Sequence, residues 1–133
     1  MLQIGEVAGA VGLSLRTIRH YEEVGLVPPS GRTNAGFRLY TDDDVARLRL
    51  VKHMKPLEFT LEELRELLHV RDRLSDTDVP TEEREDLVAR LRMFATAAEQ
   101  RSSHLRAQLE AAEATADMLR REVRRHRTRV RSR

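Results

Sequence analysis

With 133 residues, 35% of them charged and 4% aromatic, the chain has room for one small domain and an appendage of exposed helices, not for a large folded enzyme. It has no cysteine, which excludes disulfides, thiolate metal sites and thiol nucleophiles. Its net charge of +2 hides a basic start (8 Lys/Arg against 6 Asp/Glu in 1–57), an acidic middle (8 against 15 in 58–119) and an arginine-rich end (8 Arg against Glu122 in 120–133), a layout that suits a polyanionic partner.

Ile4, Val7, Ala8 and Val11 recur at helical spacing and Gly12 ends the run, so Met1 is expected to lead straight into a first helix. Ser14 is a natural N-cap for a second. In that second helix Arg16, Arg19, His20 and Glu23 share one arc of the 3.6-residue period, and Leu15, Ile18, Tyr21 and Val24 share the other. Helix, three-residue turn, helix is the outline of a helix-turn-helix. Gly25 and Pro28-Pro29 stop the second helix. Asn34-Ala35-Gly36 is turn chemistry, and beside it Phe37 and Leu39 alternate with Arg38 and Tyr40, so a small hairpin is expected. Phe37, Tyr21 and Ile18 are assigned to the core.

Thr41 with Asp44 makes a short capping box for a third helix, whose inward side is Val45, Leu48, Val51 and Met54. The run Asp42-Asp43-Asp44 is assigned to that helix's dipole rather than to a metal or a catalytic site. Pro56 ends the helix. Thr60 with Glu63 opens a fourth, with Leu61, Leu64, Leu67, Leu68 and Val70 on its apolar side, and Asp72–Pro80 reads as a loop.

Thr81 then begins a helix free of Gly and Pro that is expected to reach about Arg125. Its inward positions are Leu87, Leu91, Phe94, Ala98, Arg101, Leu105, Leu109, Ala112, Ala116, Leu119 and Val123. Steps of four and three alternate, with a doubled four around Leu105, which is a heptad seam with a stutter. Roughly 45 residues at ~1.5 Å each would extend about 65 Å, farther than the preceding segments can cover. The remainder is expected to pair with a second copy as a coiled coil. The architecture expected is mainly α: a winged helix-turn-helix domain over 1–75 with a small β-hairpin wing, a loop over 76–81, a dimerisation helix over 82–126 and a basic tail over 127–133. Nothing at the start resembles a secretory leader, and no apolar run approaches the ~20 residues of a membrane span. A cytoplasmic, nucleoid-associated protein is expected.

In this order the segments resemble the MerR family of transcription regulators. The likeness is carried by "IGEVA" (Ile4 to Ala8), "IRHYEEVGLVPP" (Ile18 to Pro29), "RTNAGFRLYTDDDVARL" (Arg32 to Leu48) and "FTLEELRELL" (Phe59 to Leu68). The resemblance implies a dimer with an antiparallel coiled coil. It also implies a roughly palindromic operator, often inside an over-long promoter spacer, which the dimer bends and untwists for RNA polymerase. Two residues depart from the family pattern: His20 stands where Tyr is frequent, and Glu58 where Gly commonly precedes the Phe.

On that footing the Arg16–Glu23 arc would enter the major groove. Arg16 would read a base edge, Arg19 would hold a base or a phosphate, and Thr17 and His20 would add contacts. Arg32, Arg38 and Tyr40 in the wing would grip phosphates, with Lys52 and Lys55 extending the grip. The resemblance points first to Arg19, Arg38 and Tyr40. No cofactor is expected, and no effector is legible, since His20, His53, His69, His104 and His126 form no ligand cluster. The arginine-rich end reads either as a solvated helix end or as a tail holding DNA or an acidic partner. Two other functions fit less well: an architectural or excision-type DNA-bending protein, and a coiled-coil interaction scaffold. No enzyme is expected, because no nucleophile, base and orienter form a constellation and no glycine loop cradles phosphate.

Overall fold

The computed structural model describes residues 1–131. The chain divides into two compact units, Met1–Ala95 and Thr96–Arg133. The first begins with helices α1 (Ile4–Val11) and α2 (Leu15–Glu23). Gly12 closes α1 at φ 78°, ψ 38°, a left-handed conformation that side chains resist. A Cβ there would also lie 2.7 Å from Lys52 Nζ, which donates to the Val11 carbonyl at 2.8 Å. The backbone conformation selects glycine, and a side chain there would in addition push Lys52 off this carbonyl. Ser14 Oγ accepts the Thr17 N–H at 3.1 Å and so starts α2. Val7, Val11, Ile18 and Tyr21 are buried, but Leu15, expected on the same side as Ile18 and Tyr21, is exposed at the first residue of α2.

A strand, β1 (Leu2–Gln3), precedes α1 where a helix start was expected. It joins β2 (Gly31–Arg32) and β3 (Arg38–Tyr40) in an antiparallel sheet of order β1-β3-β2. The register pairs Leu2 with Tyr40, Gln3 with Leu39, Gly31 with Leu39 and Arg32 with Arg38. This placement corrects the hairpin's aromatics. Phe37 lies before β3 and closes the turn: its N–H donates to Thr33 Oγ1 at 3.0 Å and its carbonyl accepts the Thr33 N–H. Phe37 is 61% exposed, not in the core, while Tyr40 in the central strand is 0% exposed.

Helix α3 (Asp42–Met54) starts at the expected Thr41–Asp44 capping box. Asp44 is buried because its carboxylate is fully used, accepting the Thr41 N–H at 2.9 Å, the Ser30 hydroxyl at 2.5 Å and Arg47 at 3.2 Å. After a 3₁₀ turn at Lys55–Leu57, Glu58 takes φ 61°, ψ 33°, a positive φ that no other described non-glycine residue adopts. Helix α4 (Leu61–Leu74) is capped by Thr60 and Glu63. It runs past Asp72, where the loop was expected to begin, because Arg47 holds the Asp72 carboxylate at 2.7 Å and Leu74 packs on a cluster of Val70, Val79 and Leu87.

Helix α5 spans Thr81–Arg131 and so continues beyond Arg125. Its first turns pack within the first unit through Leu87 and Leu91. In the second unit every residue from Ser102 to Val130 except Glu122 is exposed. Ser132 and Arg133 of the expected tail lie outside the described residues. Among the described residues no helix is long and apolar enough to cross a membrane.

Candidate nucleic-acid interface

The outer face of α2 presents the expected cations. Arg16, Arg19 and His20 are exposed. None makes a side-chain hydrogen bond or ion pair among the described residues; the His20 ring only tilts against Tyr21 at 6.1 Å. With Thr17, Glu23 and Lys55 they line one shallow open concavity. Thr17 is partly committed, since its hydroxyl shares a 2.8 Å hydrogen bond with Ser14 Oγ. The Lys55 ammonium lies 5.6 Å from the centre of the Tyr21 ring, an attraction that holds the cation at the rim of the concavity.

The wing is arranged differently. Glu22, on the last turn of α2, accepts Arg32 Nη2 at 2.7 Å through Oε1 and Arg38 Nε through Oε2. That hydrogen bond raises the Arg38 pKa above its ordinary value, against the opposing effect of burial. Arg32 also donates to the Gly36 carbonyl at 3.0 Å. Tyr40 does not stand at the surface with these cations. Its hydroxyl is buried and, like that of Tyr21, has no hydrogen-bond partner among the described residues, and burial raises the Tyr40 pKa. Lys52 is half-buried and bonded to the Val11 carbonyl, so it closes the end of α1 rather than reaching solvent. Arg49 and Arg65 likewise donate to the carbonyls of Ala10 and Val24.

Along α5 the seam residues fall into two sets. Leu87 is buried and Leu91 half-buried against Val70 and Val79. The Phe94 ring lies 6.2 Å from that of Phe59, and Ala98 is half-buried. Leu105, Leu109, Ala112 and Leu119 are exposed, Leu119 by 51%. Among the described residues no group of three or more His, Asp or Glu could hold a metal ion.

Sequence reasoning missed Glu22 as the hub of the wing. Its partners lie 10 and 16 residues away, and nothing local to α2 marks it. Ser30, which donates to Asp44 from 14 residues away, was missed for the same reason.

Comparison with known proteins places this geometry. The family model of MerR helix-turn-helix regulatory proteins matches residues 2–70. The mercuric resistance operon regulatory protein of Bacillus cereus is 46% identical over 71 residues, which cover 53% of this chain and 54% of that protein. The chain thus spans about half the length of the curated relatives it matches. Among solved structures, HiNmlR, a MerR family regulator lacking the sensor domain and bound to promoter DNA, is 25% identical with a TM-score of 0.57, over 91% of this chain and 86% of that one. A MerR family protein from Listeria monocytogenes superposes with a TM-score of 0.66 at 23% identity, over 88% of this chain and 84% of that one, which establishes a common fold.

Proposed function

The chain belongs to the MerR family of helix-turn-helix regulatory proteins, and from that premise we propose that it is a sequence-specific, DNA-binding transcription regulator that acts as a homodimer on a pseudo-palindromic operator. One observation carries the reading: Arg16, Arg19 and His20 stand exposed on a single helix face and, although Glu23 borders the same concavity, none of them makes an ion pair among the described residues. A duplex major groove is wide enough to admit such a helix, and arginine is the side chain best matched to guanine's paired acceptors. Thr17 and Lys55 border the same concavity and would add contacts, while Arg38 would meet phosphate beside it. The promoter DNA bound to HiNmlR supports this use of the fold.

The dimer would use the bare part of the α5 seam: Leu105, Leu109, Ala112 and Leu119 are apolar and exposed in one copy, and burying them against a second copy removes apolar surface from water. DNA binding would reside in 1–75 and dimerisation in 82–126. Two recognition helices on one rigid dimer could bend the spacer between promoter elements, a distortion costing on the order of 1–6 kcal/mol, and so act through RNA polymerase. Relatives include an operon regulatory protein and a transcriptional regulator, and the role proposed here is likewise regulatory rather than enzymatic, on the bacterial nucleoid.

The test is selection of bound duplexes from random DNA by the purified full chain, followed by footprinting on the sites recovered. A two-fold symmetric site lying between promoter elements is expected. Scattered sites without symmetry would favour an architectural protein, and no enrichment at low salt would end the reading. Sedimentation equilibrium should give a dimer that Leu119→Glu dissociates.

A further inference from the structure

Two wing arginines share the Glu22 carboxylate, and they share it unequally. The Glu22 side chain is only 21% exposed, so it is held rather than swinging in solvent. Arg32 donates one Nη to Glu22 and the other to the Gly36 carbonyl. Two of its five N–H donors are thus engaged, one at each end of the guanidinium fork. Arg38 is bound through Nε alone, and its two Nη groups have no hydrogen-bond partner among the described residues. A guanidinium is planar, with its five N–H donors in a fixed fork. Holding Nε against the Glu22 carboxylate therefore narrows the directions in which the two free Nη groups can point.

We propose that Glu22 is a positioning residue that aims the free Nη fork of Arg38 at a DNA phosphate, with Arg32 as the brace that keeps the carboxylate in place. The proposal rests on the DNA-binding reading above and divides the two wing arginines, which composition cannot tell apart, into a brace and a contact. It also accounts for an acidic residue beside a surface meant for a polyanion. One carboxylate between two guanidiniums leaves the wing with net positive charge, and what the carboxylate supplies is order. A long side chain already ordered in the free protein forfeits less freedom when it meets its phosphate. The same carboxylate sits at the end of α2, so the recognition helix and the wing contact are placed by one group.

The experiment is a double-mutant cycle on the full-length protein, read as affinity for its selected operator across a range of salt concentrations. Glu22→Ala should weaken binding about ten-fold, or roughly three-fold for each of two wings. It should leave the dependence on salt unchanged, because Arg38 still neutralises the phosphate. Arg38→Ala should lower the salt slope by about 0.9 for each wing. In the Arg38→Ala background, Glu22→Ala should change affinity less than about two-fold. Glu22→Gln keeps one acceptor oxygen and should fall between wild type and Glu22→Ala; it replaces Glu22→Ala in the cycle if that variant does not fold. Tighter binding by Glu22→Ala would mean that the carboxylate competes with phosphate, and would overturn the proposal. So would an equal loss in both backgrounds, which would reduce Glu22 to general support of the wing. A wild-type protein that binds no duplex would instead remove the DNA-binding reading itself, and the wild-type titration reports that separately.

Discussion

Arg16 and Arg19 leave α2 for solvent without a partner among the described residues, whereas Arg32 and Lys52 in the same compact unit bond to Glu22, to the Gly36 carbonyl and to the Val11 carbonyl. All four are long cations near the helix-turn-helix. The difference lies in what satisfies them. A hydrogen bond to a charged group contributes about 1.5–3 kcal/mol where water is excluded and less at an exposed pair such as Arg32–Glu22, so a cation that gives its terminal nitrogens to the fold has fewer donors left for an outside anion. A cation left bare adds nothing to the fold, and its full charge remains for a ligand. On this comparison the α2 face is the surface we propose for contact, and Arg32 and Lys52 serve the fold.

The largest effect should come from breaking the bare side. Arg19→Ala should weaken operator binding on the order of 100-fold, since a good base or phosphate contact is worth about 1–3 kcal/mol and a dimer loses two. Its melting temperature should match wild type within a degree or so. Gel-shift titration and thermal melting on one preparation check both halves. Lys52→Met should show the reverse pattern. Losing its bond to the Val11 carbonyl should cost about 1–2 kcal/mol of stability, seen in a urea titration, with a much smaller change in affinity than Arg19→Ala. Equal losses of affinity would move Lys52 onto the contact surface and erase the comparison there.

How far this division was legible depended on the range over which each residue is satisfied. The caps could be read because their signals lie three residues apart: Ser14 with Thr17, Thr41 with Asp44, Thr60 with Glu63. The unpaired α2 face could be read because a helix displays its arcs in sequence. Lys52 could not be sorted from Arg19, because its acceptor on Val11 lies 41 residues away. The strand β1 has two residues and no period to detect; its pairing with Leu39 and Tyr40 makes it a strand. That same pairing decides which side of the wing is inside. Alternation alone could not say, and Phe37 and Tyr40 were assigned to the wrong sides of it. In α5 the spacing showed the seam, but not that Val79, in a polar loop, would help occupy its first member, Leu87.

Tyr40 allows a finer test, because it was grouped with the wing's contacts and the fold encloses it. Its hydroxyl is buried without a partner among the described residues, and an unsatisfied buried polar group is destabilising. Tyr40→Phe should therefore leave stability unchanged or raise it by up to about 1 kcal/mol, with no loss of affinity. A clear loss would mean that the hydroxyl becomes accessible on DNA. The pH dependence has a definite sign. Burial raises the Tyr40 pKa above 10.0, so the unfolded chain releases this proton at lower pH than the folded one. This titration leaves the fold's stability untouched below about pH 10 and erodes it as pH rises through the folded-state pKa. Urea titrations between pH 8 and about pH 11 should show a shallower alkaline decline for Tyr40→Phe than for wild type.

The smallest effect concerns a charged residue on neither side of the comparison. Glu58 is exposed, makes no ion pair among the described residues and belongs to no cationic face. It nevertheless holds the left-handed turn between α3 and α4 at φ 61°. A β-carbon in that region is crowded against the backbone, and glycine is free of the penalty. Glu58→Gly should thus stabilise the protein by about 0.5–1 kcal/mol, the gain being offset in part by the greater freedom of glycine in the unfolded chain. Glu58→Ala removes the same charge and keeps the crowding, so it should give no such gain. If the two variants are equally stable, the effect of Glu58 is electrostatic, and exposed charge in this domain matters to the fold more than the contrast between Arg19 and Lys52 allows. If only glycine stabilises, the penalty is one of backbone geometry, and operator affinity should be untouched by either change.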